Sequence, residues 1–420
     1  MFEKTTLKNG LRIVTSSMPH TRAVSISIYV GAGSRYEPAE KAGISHFIEH
    51  MCFKGTKKRP TSREISETIE GIGGVLNAGT DRELTVYWAK VAKPHFDVAL
   101  DLLVDVLRSS KFDAQEMEKE RLVVLEELNM TNEYPGHRAE AILEELMWPD
   151  NALGRDVGGT KTSVQNIVRD DMVEYIGHQY VLSNMVVSAA GDIDHKYVVD
   201  KVKRLMKGWP VGKLLDWQRA DGAQDSSRFK LEYRKSDQAH ICMGFHGLSM
   251  RHKDRYAGDL LSTVLGEGMS SRLFLEVREK HGLAYDVHSS VDHMLDCGTF
   301  GVYAGVDPKR GPKAVQTILG ELAKIRDGVS EQELTKAREF AKGRMLLRME
   351  DTRAVAGWIG GQEMLKGEIL TVDQVVSRLD AVTTKDVKRV ARSLLKEENL
   401  TVSIVGPYRG DSQFRKVLKL

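Results

Sequence analysis

Cysteine is scarce in this sequence, and Cys52, Cys242 and Cys297 stand far apart with no Cys-x-x-Cys spacing. That pattern excludes a disulfide framework and a cysteine-rich zinc site, and it fits a reducing cytoplasm. Charge of one sign is missing too, since 61 Lys and Arg face 59 Asp and Glu. A dedicated nucleic-acid or anionic-membrane surface would need a larger imbalance, so neither partner is expected. No run approaches the roughly 18 apolar residues that span a bilayer. The opening Met-Phe-Glu-Lys-Thr-Thr-Leu-Lys-Asn-Gly-Leu-Arg-Ile-Val lacks the apolar core of a signal peptide. No Pro/Gly/Ser-rich tract is long enough to read as disorder. No serine or cysteine nucleophile constellation is present, and Gly266-Glu-Gly268 neither follows a strand nor precedes Gly-Lys-Ser/Thr, which argues against nucleotide binding. The expectation is a soluble cytoplasmic protein, and its 420 residues exceed what one core serves.

What is present, first, is an internal repeat. Asn184-Met-Val-Val-Ser-Ala-Ala-Gly191 is matched by Asn399-Leu-Thr-Val-Ser-Ile-Val-Gly406, and Ala42-Gly43 by Ala257-Gly258, all at an offset of 215 residues. One offset shared by separate anchors indicates duplication. In the first half, alternation predicts strands over 23–30, 75–77, 84–91 and 185–190 and helices over 43–54, 61–69, 94–108, 113–131 and 170–180. In the second half it predicts strands over 239–245, 284–290 and 298–306 and helices over 255–265, 271–280, 312–326, 331–349 and 355–364. The expected fold is α+β, two homologous domains of a mostly antiparallel sheet packed by helices. The polar stretch 213–227 is the expected linker between domains 1–212 and 228–420.

The sharpest motif is Gly43-Ile-Ser-His-Phe-Ile-Glu-His-Met-Cys-Phe-Lys-Gly55. Ile44, Phe47, Ile48 and Met51 recur at helical spacing as one apolar stripe, with His46, Glu49, His50 and Phe53 as a second stripe beside it. His46 and His50 therefore stand one turn apart on a common face, where two imidazole nitrogens can reach one zinc ion. Glu49 lies between them, placed to act as general base toward a water. A lone histidine on such a helix is ordinarily structural. Two histidines and a glutamate in this phase are a different signal.

Catalytic zinc needs a third protein ligand and an open position. The carboxylate-rich helix expected over 113–131 offers several candidates, and an acidic run is most often a solvated face. Glu120 and Glu127 share a face with Val123 and Val124, yet spacing alone barely separates Glu127 from Glu126. A closed structural site would need a fourth ligand; Cys52, the nearest, should point to another face of the helix.

The chain resembles the pitrilysin, insulin-degrading enzyme and mitochondrial processing peptidase family over essentially its whole length. The resemblance rests on Leu7-Lys-Asn-Gly-Leu-Arg-Ile-Val, on His46-Phe-Ile-Glu-His-Met-Cys-Phe-Lys-Gly-Thr56, and on Glu120 and Glu127 in their helix. It implies Glu127 as the third zinc ligand and Glu120 as a catalytic support. Gly73-Gly-Val-Leu-Asn-Ala-Gly-Thr-Asp-Arg-Glu83 resembles the family's substrate-binding edge strand, with Asn77 and Ala78 as contacts to an extended peptide; Gly79 departs from the aromatic that relatives often carry. Arg278 and Tyr285, within Ser270-Ser-Arg-Leu-Phe-Leu-Glu-Val-Arg-Glu-Lys-His-Gly-Leu-Ala-Tyr285, resemble the pair that stabilises the tetrahedral intermediate.

The expected activity is zinc-dependent endopeptidase action on unstructured peptides or presequence-like segments. Longer relatives join four such domains, so a two-domain chain should form one half of a clamshell chamber and pair as a homodimer, or as a heterodimer with a related chain. The alternative is a non-catalytic scaffold of the same fold, although such relatives are usually degenerate at the zinc motif.

Overall fold

The computed structural model describes residues 2–222 and 224–420. Two compact units divide the chain, and neither is a continuous stretch. The first comprises residues 1–128, 156–218 and 346–371, and the second 129–155, 219–345 and 372–420. This differs from a single cut at a linker over 213–227.

The first unit is built on a six-stranded sheet of β1 (Phe2–Thr6), β2 (Arg12–Ser17), β3 (Ala23–Val30), β4 (Val75–Thr80), β5 (Thr85–Ala92) and β6 (Met185–Gly191), in the order β1-β2-β6-β3-β5-β4. Only β2 and β6 run parallel; the other pairs are antiparallel. The alternation in β3 is explained by two different coverings. Val24, Ile26, Ile28 and Val30 enter the main core with Phe47, Ile48 and Met51. Ser25, Ser27 and Tyr29 face the other way and are buried as well. There Ser25 Oγ lies 2.9 Å from Thr352 Oγ1, and Ser188 of β6 donates to Ala356 O at 2.6 Å. Both partners belong to the helix Thr352–Lys366, which comes from late in the chain. Small side chains on that sheet face let the helix sit close. A Cβ on Gly360 would lie 2.4 Å from the Tyr29 ring and 2.7 Å from Ser188 Cβ.

Among the helices around the candidate site and its sheet are α1 (Ile44–Cys52), α2 (Ser62–Glu70), α3 (Phe96–Arg108) and α4 (Ala114–Glu133). α1 starts where Gly43 adopts φ +91°, and a Cβ at Gly43 would lie 2.3 Å from Gly158 O. Only glycine meets both demands. Buried Glu37 then accepts the N–H groups of Gly43 (2.7 Å) and Ser45 (2.8 Å), satisfying donors the helix cannot.

The second unit repeats this plan without the extra edge strand. β7 (Arg228–Tyr233), β8 (Ala239–His246), β9 (Ala284–His293), β10 (Gly298–Val306) and β11 (Thr401–Gly406) order as β7-β11-β8-β10-β9, and only β7 and β11 are parallel. Its sheet is covered by α5 (Pro135–Met147), a helix from the first half of the chain. Ser403 of β11 donates to Ala139 O of α5 at 2.5 Å. Ser188 and Ser403 are thus one repeat apart and make the same bond, each to a helix drawn from the opposite half.

Several segments depart from expectation. The helix expected over 271–280 is a π-helical turn at Phe274–Lys280. α5 and β7 were not expected as elements at all. Among the described residues no helix is long and apolar enough to cross a membrane.

Candidate metal centre

α1 buries Ile44, Phe47, Ile48 and Met51 against the sheet, as its periodicity requires, so the second stripe faces α4. His46 and His50 are half-buried there, with ring centroids 4.6 Å apart and planes near perpendicular. From α4, which buries Met117, Glu120, Val124 and Leu128, comes Glu127. His46 Nε2 and His50 Nε2 are 3.2 Å apart, His46 Nε2 and Glu127 Oε2 3.6 Å, and His50 Nε2 and Glu127 Oε2 3.5 Å. Donors around one tetrahedral zinc with bonds near 2.0–2.1 Å are separated by about 3.3 Å. The triangle fits that ion without rearrangement. Among the described residues these three form the one group of His, Cys, Asp or Glu close enough to hold a metal. Glu126 is exposed and not part of it, and Cys52 is buried with Sγ toward Tyr87 OH.

The surroundings favour metal ligation. Burial, then the neighbouring His50, hold His46 down to about 4, so its ring is neutral and keeps a lone pair at physiological pH. Burial also pulls His50 down, but the Glu120 hydrogen bond and the charges of Glu127, Glu120 and Glu49 outweigh it and raise the ring. His50 Nδ1 donates to Glu120 Oε1 at 2.8 Å, which leaves Nε2 free for an ion. Lys54 Nζ pairs with Glu120 Oε2 at 2.5 Å. Burial disfavours the Glu120 anion, yet His50 and Lys54 together lower its carboxyl. His46 Nδ1 is buried with no hydrogen-bond partner among the described residues, so the two imidazoles are not supported alike.

Glu49 projects beside this triangle but outside it. Its Oε2 accepts the Thr80 hydroxyl at 2.5 Å. Burial raises its carboxyl, against that hydrogen bond and the nearby His50. Thr80, Lys54 and Glu37 were not singled out from the sequence. Lys54 lies within the 43–55 motif and Thr80 within the 73–83 motif, but their contacts cross between elements and leave no spacing to read.

Asn77 and Ala78 lie on β4, opposite Trp88 and Tyr87 of β5, and β4 is a sheet edge. The Ala78 N–H bonds to the Asn77 side chain at 2.8 Å. Arg278 and Tyr285 belong to the second unit. Tyr285 is no core residue: it is 76% exposed, because the register of β9 on β10 slips from Asp286 to Ala284 and leaves it as the extra residue of a bulge. Arg278, in the π-helical turn, stacks its guanidinium over Phe274 (4.8 Å) and Tyr285 (5.2 Å). Two rare backbone irregularities therefore converge on this pair.

Comparison with known proteins agrees with this architecture. Residues 12–161 match the family model "Insulinase (Peptidase family M16)" and residues 166–340 the model "Peptidase M16 inactive domain". An uncharacterized zinc protease of Streptomyces coelicolor is 37% identical over 97% of this chain and 90% of its own. A probable mitochondrial-processing peptidase subunit beta of Arabidopsis thaliana is 33% identical, over 98% of this chain and 80% of its own. Among solved structures, a protease from Helicobacter pylori superposes with a TM-score of 0.89 at 25% identity, over 97% of this chain and 99% of that one. Kinship of this depth, spread over nearly the whole chain, makes the protein a member of peptidase family M16.

Proposed function

We propose that the protein is a zinc-dependent endopeptidase acting on unstructured peptides or presequence-like segments, with His46, His50 and Glu127 as the ligands. The observation that carries this reading is the donor triangle of 3.2–3.6 Å on α1 and α4. Zinc held there would supply Lewis-acid chemistry, polarising a peptide carbonyl and lowering the pKa of a water to about 7. Glu49 takes a proton from the attacking water on its carboxylate and delivers it to the leaving amine. Glu120 acts through His50, fixing the ring so that Nε2 faces the ion. The β4 edge around Asn77 and Ala78 offers backbone groups to an extended peptide, which suits a substrate without structure. The test is cleavage of an unstructured peptide mixture, read by mass spectrometry, for the parent and Glu49→Gln. The parent should cut and retain zinc, and the variant should retain zinc while losing about 10²–10⁴ in rate. Zinc-loaded parent that cuts nothing would favour the scaffold reading.

For Arg278 and Tyr285 we infer stabilisation of the tetrahedral intermediate in the site of a second copy within a homodimeric chamber. Support comes from the exposed, bulge-presented phenol beside a stacked guanidinium. Mixing Arg278→Ala protomers with Glu49→Gln protomers should restore part of the activity that each lacks alone. No recovery on mixing would point to action within one chain, or to a related chain as the partner.

A further inference from the structure

Glu49 poses a problem of its own. It sits three residues after His46 and directly before His50, on the helix face that carries both ligands. Glu49 is an i,i+3 neighbour of His46, and its carboxylate is close enough to feel the charges of His50 and Glu127, so it stands within range of the same ion. A site with four protein ligands is closed, and closed zinc sites are structural rather than catalytic. Yet the carboxylate of Glu49 stands outside the donor group formed by His46, His50 and Glu127.

What holds it away is visible across the sheet edge. Thr80 is the last residue of β4, opposite Thr85 of β5. The Thr85 hydroxyl is committed to Ala32 O at 2.9 Å and lies 3.3 Å from Thr80 Oγ1. A hydroxyl has one proton to give, and Thr80 directs its own at Glu49 Oε2 over 2.5 Å. The Thr80 backbone N–H faces the same carboxylate. Bonds to a charged acceptor are short and roughly twice as strong as neutral ones. Among the described residues, no other residue donates a hydrogen bond to the Glu49 side chain. One residue on the strand edge therefore anchors the carboxylate from outside the helix.

We propose that Thr80 is a positioning residue that keeps Glu49 out of the zinc ligand set, so that the site stays open and Glu49 remains a base. The proposal rests on the zinc-peptidase reading of the same site. Its signature differs from that of a merely structural threonine: releasing Glu49 should tighten zinc binding while slowing turnover, whereas general loosening would weaken both.

The experiment compares zinc-loaded parent, Thr80→Val, Thr80→Ser and the double variant Thr80→Val/Glu49→Gln. Zinc affinity is measured by chelator competition, zinc coordination by X-ray absorption and crystallography, and kcat and KM on a peptide the parent cleaves. Thr80→Val should bind zinc about tenfold tighter or more, because a released Glu49 oxygen adds a fourth ligand to the ion. It should show a Glu49 oxygen in the zinc shell, and it should lose kcat at least about tenfold with KM nearly unchanged. Thr80→Ser should resemble the parent, and Glu49→Gln in the Thr80→Val background should erase the gain in affinity. Zinc binding in Thr80→Val that is equal to or weaker than in the parent, with Glu49 outside the shell, would overturn the proposal. Affinity and coordination are read without substrate, so a failure of the peptidase reading, seen as unimpaired or absent cleavage in parent and Glu49→Gln alike, stays separate from a failure of this one.

Discussion

At the residue scale, the asymmetry between the two histidines has a measurable consequence. His50 is braced by Glu120, itself neutralised by Lys54, while His46 Nδ1 has no partner among the described residues. Glu120→Ala should therefore cost about 10–100-fold in zinc affinity, measured by chelator competition, because the brace orients the ring and raises its basicity. An unchanged affinity would remove Glu120 from the support of the site. The two histidines and Glu49 were legible because a helix repeats its faces every three to four residues, and the motif carries that period in one short string. Glu127 was not separable from Glu126 by spacing. Its selection depends on how α4 rolls against α1, with Glu120, Val124 and Leu128 inward and Glu126 outward, which is a fact of packing. Thr80 was less legible still, because it reaches Glu49 from a strand 31 positions further along the chain.

At the scale of elements, the helix Glu331–Arg348 shows how a cap and an ion pair share one carboxylate. Glu333 bonds back to the Ser330 N–H at 2.8 Å and takes two bonds from Arg272, Nε at 2.7 Å and Nη2 at 3.0 Å. The Arg272 hydrogen bonds, chiefly, hold its carboxyl down to about 2. A lowered folded-state pKa gives stability that is present above the ordinary carboxyl range and is lost as pH falls toward the folded value. Glu333→Gln should thus cost about 1 kcal/mol near neutral pH, a figure already reduced for partial exposure. The cost should shrink between about pH 5 and pH 2, as followed by denaturant unfolding. A cost independent of pH would mean that shape, not charge, holds the helix start. The turn into α1 is stricter: Gly43→Ala places a Cβ against Gly158 O at a positive φ. Thermal unfolding should reveal a loss of at least about 1–3 kcal/mol. Most elements were legible because alternation and helical period survive wherever one face meets a core, as in β3 and α1. The π-helical turn at Phe274–Lys280 has no such signature, since it shares its apolar pattern with an ordinary helix.

At the scale of the whole molecule, the duplication was legible from its 215-residue offset, while the exchange of α5 and Thr352–Lys366 between the two halves of the sequence was not. Each is an ordinary helix locally, and nothing in its own residues states which sheet it will cover. The repeat also shows what the second unit lacks: one offset on from His46, Glu49 and His50 stand Leu261, Val264 and Leu265, all buried. Apolar packing there replaces the two histidines and the glutamate, in keeping with the match of that region to an inactive domain. The exchange predicts an unusual response to proteolysis. A protease site placed at residues 213–216 and cut should leave two pieces that stay together through gel filtration, since each piece contributes a helix to the other's sheet. Pieces that part without denaturant would show that the exchanged helices add little.

The same exchange sets the order in which the protein can be made. Synthesis runs from the N-terminus, and domains ordinarily fold as they emerge. Here the first sheet acquires its second cover only when residues 352–366 have been translated, long after its own last strand, Met185–Gly191. Until then Ser25, Tyr29 and Ser188 lack the partners that helix supplies, on a nascent chain that already holds His46 and His50. A ribosome that stalls before residue 352 therefore releases a chain whose first sheet is covered on one face only.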